Sequence, residues 1–486
     1  MGGWSSDFAS NIPATSTTPA NVTIIADTLA TASGATHRAV EVPATSTGVT
    51  IKGFTIIGGI GSGMISTAVY SEGGVTLTEN ILQAGDGSGG AGTVYALYAF
   101  AGDATVQSSR MHGPVNGTGL KSATVHFAGS ATGLLEGNTI TGGTTNHDQV
   151  TLSLDGSSPT VQNNTITGGT TAAKPIGVHL LGTSATIQNN NISGGTSTLT
   201  SSAMVNGILS DGASAEILNN AIFGGTHAPG FTPGTGNTVI GIYIFNDSTG
   251  MLITGNSIDG GVLPVANTDY SHGIFLAGSV VGGPDIINNK IVTATGASET
   301  NAIVVGTSGW ARKIYNNTIF SGTGNIASIG ILLSGPASGP IPSIQNNLIT
   351  CGGSGTVVGI SEALTNANPN LQNNAIGTSC PTMYQDAALG ALANAAALNG
   401  TAAGSTVTGN VSLNPVFVDA ANGDYRLTGT SPAEILRGGL DLSADFTALG
   451  LTAIDLQGTG RTAVLGTPTP TNTGAAGWSM GAYELD

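Results

Sequence analysis

The stretch EGNTITGG at 136–143 returns, with variations, along most of the chain. It reappears as QNNTITGG (162–169), QNNNISGG (188–195), LNNAIFGG (218–225) and TGNSIDGG (254–261), then as INNKIVTA (287–294), YNNTIFSG (315–322), QNNLITCGG (345–353) and QNNAIGTS (372–379). Self-similarity at a period of tens of residues marks a solenoid. The second residue of each corner serves as a ruler: Asn80, Ser109, Asn138, Asn164, Asn190, Asn220, Asn256, Asn289, Asn317, Asn347 and Asn374, spaced 26 to 36 residues apart. Phe54, 26 residues before Asn80, marks an earlier rung.

Each repeat holds three short segments with period-2 alternation, the signature of strands. Around Asn190 they are GVHLL (177–181), ATIQ (185–188) and NISGG (191–195). The Asn-Asn pair between the second and third suits a sharp corner, because Asn tolerates left-handed backbone angles and bonds locally. Asn amides stacked in successive rungs can also bond to one another. Ile187 and Ile192 are expected to point inward, and Thr186, Gln188 and Ser193 outward. Gly-Gly then permits the next bend. The pattern predicts an all-β fold, a right-handed single-stranded parallel β-helix of about 12 rungs with three strands each. An antiparallel propeller is the alternative, but it needs hairpins every 8–12 residues or so. The array is expected over residues 1–383. The Ala- and Leu-rich YQDAALGALANAAALNG (384–400) predicts a single capping helix, and 401–486 reads as an irregular C-terminal segment.

Composition narrows function. The 486 residues include 76 Gly, only 8% are charged, and the net charge is −16. Few Lys and Arg exclude a phosphate-neutralising surface, so nucleic acid is not an expected partner. No apolar run approaches the roughly 20 residues of a membrane helix. No cofactor motif is present, and the oligomeric state cannot be read. Met1 is followed at once by Gly-Gly-Trp and strand-like sequence, so a natural N-terminus is expected upstream. Cys351 and Cys380 fall in neighbouring repeats. A disulfide there fits an oxidising compartment, with two buried thiols as the alternative.

The array resembles the bacterial right-handed parallel β-helix repeat proteins of pectin-lyase-like fold. NPVFVDAANGDYRLTGTSPA (414–433), IDLQGTGR (454–461) and GAYE (481–484) resemble the C-terminal segment of secreted or surface-anchored members, and GGWSSDF (2–8) with VTIKGFTIIGG (49–59) resembles their opening. The chain departs at Glu434 and Ile435, where such tails commonly show Ile-Asp. It also lacks an Asp just before Gly481, which predicts the loss of a polar bond pinning the tail. The resemblance implies an extracellular or cell-surface location but no single activity, because the fold hosts lyases, hydrolases, adhesins and stalks.

Aligning the first strand of each rung puts Tyr70, Tyr98, His126, Ser153, His179, Leu209, Tyr243, Phe275, Val304, Leu332 and Ser361 in one outward column. The resemblance implies that polysaccharide lies on this face, and aromatic rings suit the apolar faces of sugars. Tyr70, Tyr98, His126, His179, Tyr243 and Phe275 are the candidate ligand-binding residues. A ladder of like side chains also stabilises a sheet without any ligand. Five residues earlier, Lys121, Asp148 and Lys174 share a register, with His147 beside Asp148. In a lyase acting on uronates, a lysine could be the base and Asp148 could tune it. As an ion-pair ladder it would contribute little. Asp155, Asp211 and Asp247 occupy turns; no metal is expected there, because calcium wants several oxygens together. Thr-Ile-Thr columns at 139–141 and 165–167 break in the next rung. The expected function is a non-catalytic secreted or cell-surface scaffold or adhesin contacting glycans along the first-strand face. A polysaccharide lyase or glycoside hydrolase using the same groove is the alternative.

Overall fold

The computed structural model describes residues 23–26, 36–59, 65–86, 93–115, 122–171, 173–199, 203–228, 236–246, 249–263, 269–277, 282–295, 297–306, 311–335, 342–363, 368–401, 406–458, 461 and 478–484. Lys121, Asp247 and the segment 2–8 lie outside these residues. The chain divides into two compact units, Met1–Leu209 and Ser210–Asp486.

In the first unit the first strands of successive coils are His37–Val42, Ile65–Ser71, Thr93–Ala99, Ser122–Ala128, Gln149–Asp155 and Pro175–Leu181. Each pairs in parallel with its counterpart in the next coil. The second and third strands pair likewise. This is a parallel β-helix. Its core is made of columns: Val69, Leu97, Val125, Leu152 and Val178 from the first strands, Leu77, Val106, Leu135, Val161 and Ile187 from the second, and Met111, Ile140, Ile166 and Ile192 from the third. All of them are fully buried. Each such side chain contributes about 1.5–3 kcal/mol on leaving water.

The corner between second and third strands carries its own hydrogen-bond chain. The backbone N–H of Asn138 donates to Asn164 Oδ1, and that of Asn164 to Asn190 Oδ1, both at 2.9 Å. Ser109 substitutes its hydroxyl in the same chain, accepting from the Asn80 N–H at 3.1 Å. The Asn164 amide also donates to the Leu135 carbonyl one coil back, at 2.8 Å. The residue before each rung turns the chain with φ between 50° and 63° at Glu79, Ser108, Gly137, Asn163 and Asn189. The two asparagines of the motif therefore have different jobs. The first supplies the left-handed bend and the second the buried ladder.

The second unit repeats the scheme. Ile242, Ile274, Ile303, Ile331 and Ile360 stack from the first strands, and Ile222, Ile258, Ile291, Ile319, Ile349 and Ile376 from the third. The first-strand glycine fits against the third-strand isoleucine. A Cβ on Gly241, Gly273, Gly330 or Gly359 would come within 2.3–2.5 Å of an Ile Cγ2. The amide ladder runs Asn220, Asn256, Asn289, Asn317, Asn347, Asn374 and on to Asn410, at 2.9–3.1 Å. Its last N–H, from Asn410, donates to Asn399 Oδ1 at 3.2 Å. Cys351 and Cys380 form a disulfide, with Cα atoms 5.1 Å apart.

The C-terminal expectations need correction. The segment 384–400 is not one helix. Thr382–Asp386 is a strand on the sheet, Asp386 Oδ1 accepts from the Ala388 and Leu389 N–H groups in a turn, and Gly390–Leu392 pairs back antiparallel. Only Ala395–Asn399 is helical. Helix propensity is a weak prior, and here the fully buried Tyr384 commits its segment to the core. Nor is it the only helix, since Ala433–Arg437 and Ser443–Ala448 follow. Residues 401–486 also begin with more array: Val407–Thr408 pairs with Leu371–Gln372.

The remaining tail folds back along the second unit. Ile435, Leu436 and Met480 cluster with Leu348, Ala375 and Val411, and Leu442, Phe446 and Trp478 cluster with Ile287 and Tyr315. The left-handed corner residues dock it. Asn373 Nδ2 donates to the Gly438 carbonyl at 2.6 Å, Asn346 exchanges two bonds with Leu440 at 2.8 Å, and Asn288 Oδ1 accepts from Arg461 at 2.6 Å. Met480, where the related tails carry Asp, is buried in the apolar cluster, and other polar bonds pin the tail. Arg461, with a fully buried side chain, pairs with Glu484 at 2.6 Å, and the Glu484 N–H donates to Asp455 Oδ2 at 2.9 Å.

Three outcomes follow for mutants. Asn164→Ala leaves the Asn138 N–H and the Leu135 carbonyl short of a partner, so denaturant unfolding followed by circular dichroism should show a loss of about 1–3 kcal/mol. Ser108→Gly, at φ 50°, should gain up to about 1 kcal/mol in the same assay. Arg461→Met strands a buried carboxylate and should cost about 3–5 kcal/mol, most of it recovered in Arg461→Met/Glu484→Leu. The Trp478 fluorescence transition reports it.

Candidate functional site

The first strand of a coil does not alternate cleanly. In Thr93–Ala99 both Ala96 and Leu97 are buried, so the outward positions Tyr95 and Tyr98 are three residues apart, out of phase with a simple strand. The register places Tyr70, Tyr98, His126, Ser153 and His179 in one column, as the sequence alignment expected, and adds Glu41 beside Tyr70. Tyr70 is 7% exposed, whereas Tyr98, His126 and His179 are half-buried.

These rings pack on one another. Tyr70 and Tyr98 meet edge to face at 5.4 Å, Tyr98 and His126 lie at 5.0 Å, and Tyr95 stacks on His126 at 5.3 Å. Phe100, 45% exposed, meets the Tyr98 edge at 6.1 Å. The Arg38 guanidinium lies 3.6 Å from the Tyr70 ring centre and donates to Glu41 at 2.6 Å. Tyr70 donates its hydroxyl proton to Glu72 at 2.5 Å. Burial, reinforced by Glu72, pushes the Tyr70 hydroxyl up to about 12. Burial pulls His126 down to about 4 against the opposing charge of Asp155, so its imidazole is neutral at pH 7. Sequence reasoning missed Arg38, Tyr95, Phe100 and Glu72. The signal was the Tyr-x-x-Tyr spacing of 95–98, which only a kinked strand brings to one face.

In the second unit Tyr243, Phe275, Val304, Leu332 and Ser361 share a column. Tyr243 and Phe275 lie 5.4 Å apart, and His272 lies 5.1 Å from Phe275. His272 is 6% exposed, and its Nδ1 has no hydrogen-bond partner among the described residues.

The proposed lyase ladder is not seen as an ion-pair ladder. Asp148 Oδ1 accepts from the backbone N–H of Lys174 at 3.2 Å, and the Lys174 side chain is exposed. Asp148 thus ties two turns together, and no Asp148–Lys174 ion pair occurs among the described residues. Asp211 accepts from Asn246 at 2.5 Å, as a turn residue does. Among the described residues no cluster of three His, Cys, Asp or Glu could hold a metal, and no helix is long and apolar enough to cross a membrane.

No family model matches the chain, and no curated protein matches it. Among solved structures it is similar to the Dettilon tailspike protein, at 16% identity and a TM-score of 0.30, over 68% of this chain and 63% of that one. It is also similar to a double mutant of the tailspike protein of E. coli bacteriophage HK620, at 12% identity and a TM-score of 0.21, over 65% of this chain and 69% of that one. The chain therefore spans less than two thirds of the length of the first.

The buried histidine gives a pH signature. His272 is pulled down to about 4 in the folded chain, chiefly by burial, against about 6.5 unfolded. The unfolded chain binds a proton that the folded one refuses, so stability is full above pH 6.5 or so and falls as the pH drops towards 4. His126 acts in the same direction. Thermal melts at pH 7 and 4.5 should show a lower Tm at 4.5, and the gap should narrow in His272→Asn.

Proposed function

We propose that the chain is a non-catalytic, secreted or surface-displayed bacterial β-helix of pectin-lyase-like kind, acting as a scaffold or adhesin that contacts glycans along the first-strand face. The observation that carries this reading is the half-buried ring column around Tyr98 and His126, with Phe100 exposed at its edge. Fixed rings offer apolar area to sugar C–H faces at little entropic cost. The disulfide supports an oxidising location. The lyase or hydrolase alternative has less support. Its described members Asp148 and Lys174 serve a backbone bond and an exposed position.

An oligosaccharide panel separates the readings. The scaffold should bind without releasing unsaturated or new reducing-end products. Tyr98→Ala/His126→Ala should weaken binding about tenfold or more, while circular dichroism stays that of a folded array. Lys121→Ala/Lys174→Ala should leave binding within a few-fold. Turnover lost by orders of magnitude in that variant would establish the enzyme instead.

A further inference from the structure

The ring column of the first unit is bordered by carboxylates. Glu72 holds the Tyr70 hydroxyl at 2.5 Å. Glu41, next to Tyr70 in the column, is exposed. Asp155 follows two residues after the column position Ser153, and its charge raises Tyr98 and opposes the fall of His126. The cation among them, Arg38, is bonded to Glu41 and stacked on Tyr70. The His179 imidazole lies in the column itself, and the other described lysines and arginines of this unit lie on other elements or ahead of the strand. Lys52 lies on a second strand and pairs with Glu79 at 3.0 Å, Arg110 lies on a third strand, and Lys174 precedes the strand Pro175–Leu181. His126 supplies no positive charge near neutral pH. A sugar chain lying on these rings therefore meets the carboxylates of Glu72 and Asp155, the mutually offset Arg38–Glu41 pair and the His179 imidazole.

We infer that this face ranks glycans by charge, taking amine-bearing chains above neutral ones and uronate chains last. The inference rests on the reading of the ring column as a glycan surface and gives that surface a substrate class. A uronate carboxylate would lose water and meet like charge, which costs affinity. An ammonium would meet Glu72 and Asp155 and also the negative ring faces. Glu72 and Asp155 are then the residues that set specificity, while Tyr98 and Phe100 supply contact area.

The test uses the full chain and three hexamers, of glucosamine, N-acetylglucosamine and galacturonic acid, titrated by calorimetry at pH 6 and low salt. The expected order of affinity is glucosamine, N-acetylglucosamine, galacturonic acid, with about tenfold between the extremes. Glu72→Gln/Asp155→Asn should shrink that ratio several-fold, and Gln can still accept the Tyr70 proton. Added salt should shrink it too. If galacturonic acid binds tightest, or if the double variant leaves the ratio unchanged, the charge ranking is wrong. Tyr98→Ala keeps the two failures apart. If it abolishes binding while the ranking fails, the ring column stands and only the inference falls. If it changes nothing, or no hexamer binds, the glycan reading itself falls.

Discussion

The fold depends on a buried asparagine whose amide reaches the coil on either side. At each corner the side-chain oxygen takes a backbone N–H from the preceding coil, and the nitrogen returns a bond to a carbonyl of that coil. A corner breaks the strand ladder, so its backbone groups would otherwise be buried without partners, at about 1–3 kcal/mol each. The side chain supplies what the missing ladder cannot. It also fixes register: a coil slipped by one residue would take the ladder amide out of its place and turn the inner Ile column outward. In the second unit Asn399 of a five-residue helix ends the chain of amides, so the short helix acts through its last side chain more than through its bulk.

The two units use their outward surfaces differently. In the first unit the second strands carry Gln107, Glu136, Gln162 and Gln188, which bond along the axis at 2.7–2.9 Å and hold the Glu136 carboxyl below its usual range. In the second unit the equivalent second-strand positions include Ile287 and Tyr315, the third strand carries Leu348, and the tail covers all three. Outward apolar residues on a repeat are a sign of something laid against it. There the cover is the chain's own C-terminal segment, tied by Asn288, Asn346 and Asn373 and by the buried Arg461–Glu484 pair.

Much of this was legible in the sequence, for physical reasons. Period-2 alternation and a repeating Asn corner are local signals, so the parallel array, the inward Ile140, Ile166 and Ile192, and the register of Tyr70, Tyr98 and His126 followed from spacing alone. What was missed depends on long-range contact. Asn410 stands 36 residues after Asn374, and its corner hides in sequence that looks irregular. The tail's return is invisible locally, although Ile287 and Leu348 at outward positions hinted at it. Ala-rich 384–400 looked helical because propensity ignores that Tyr384 is claimed by the core. Tyr95 escaped notice because the strand kinks at the small residue Ala96, as its counterparts kink at Gly241 and Gly273. Asp148 and Lys174 shared a register as expected, but register did not say which atoms would meet. The carboxylate takes a backbone amide rather than an ammonium.

The most direct measurement is a crystal structure of the chain soaked with a hexamer of N-acetylglucosamine. An uncleaved sugar chain is expected on the first-strand face of the first unit, with a ring against Tyr98 or Phe100. A sugar seated away from these rings, or a shortened product beside Asp148 and Lys174, would contradict that expectation.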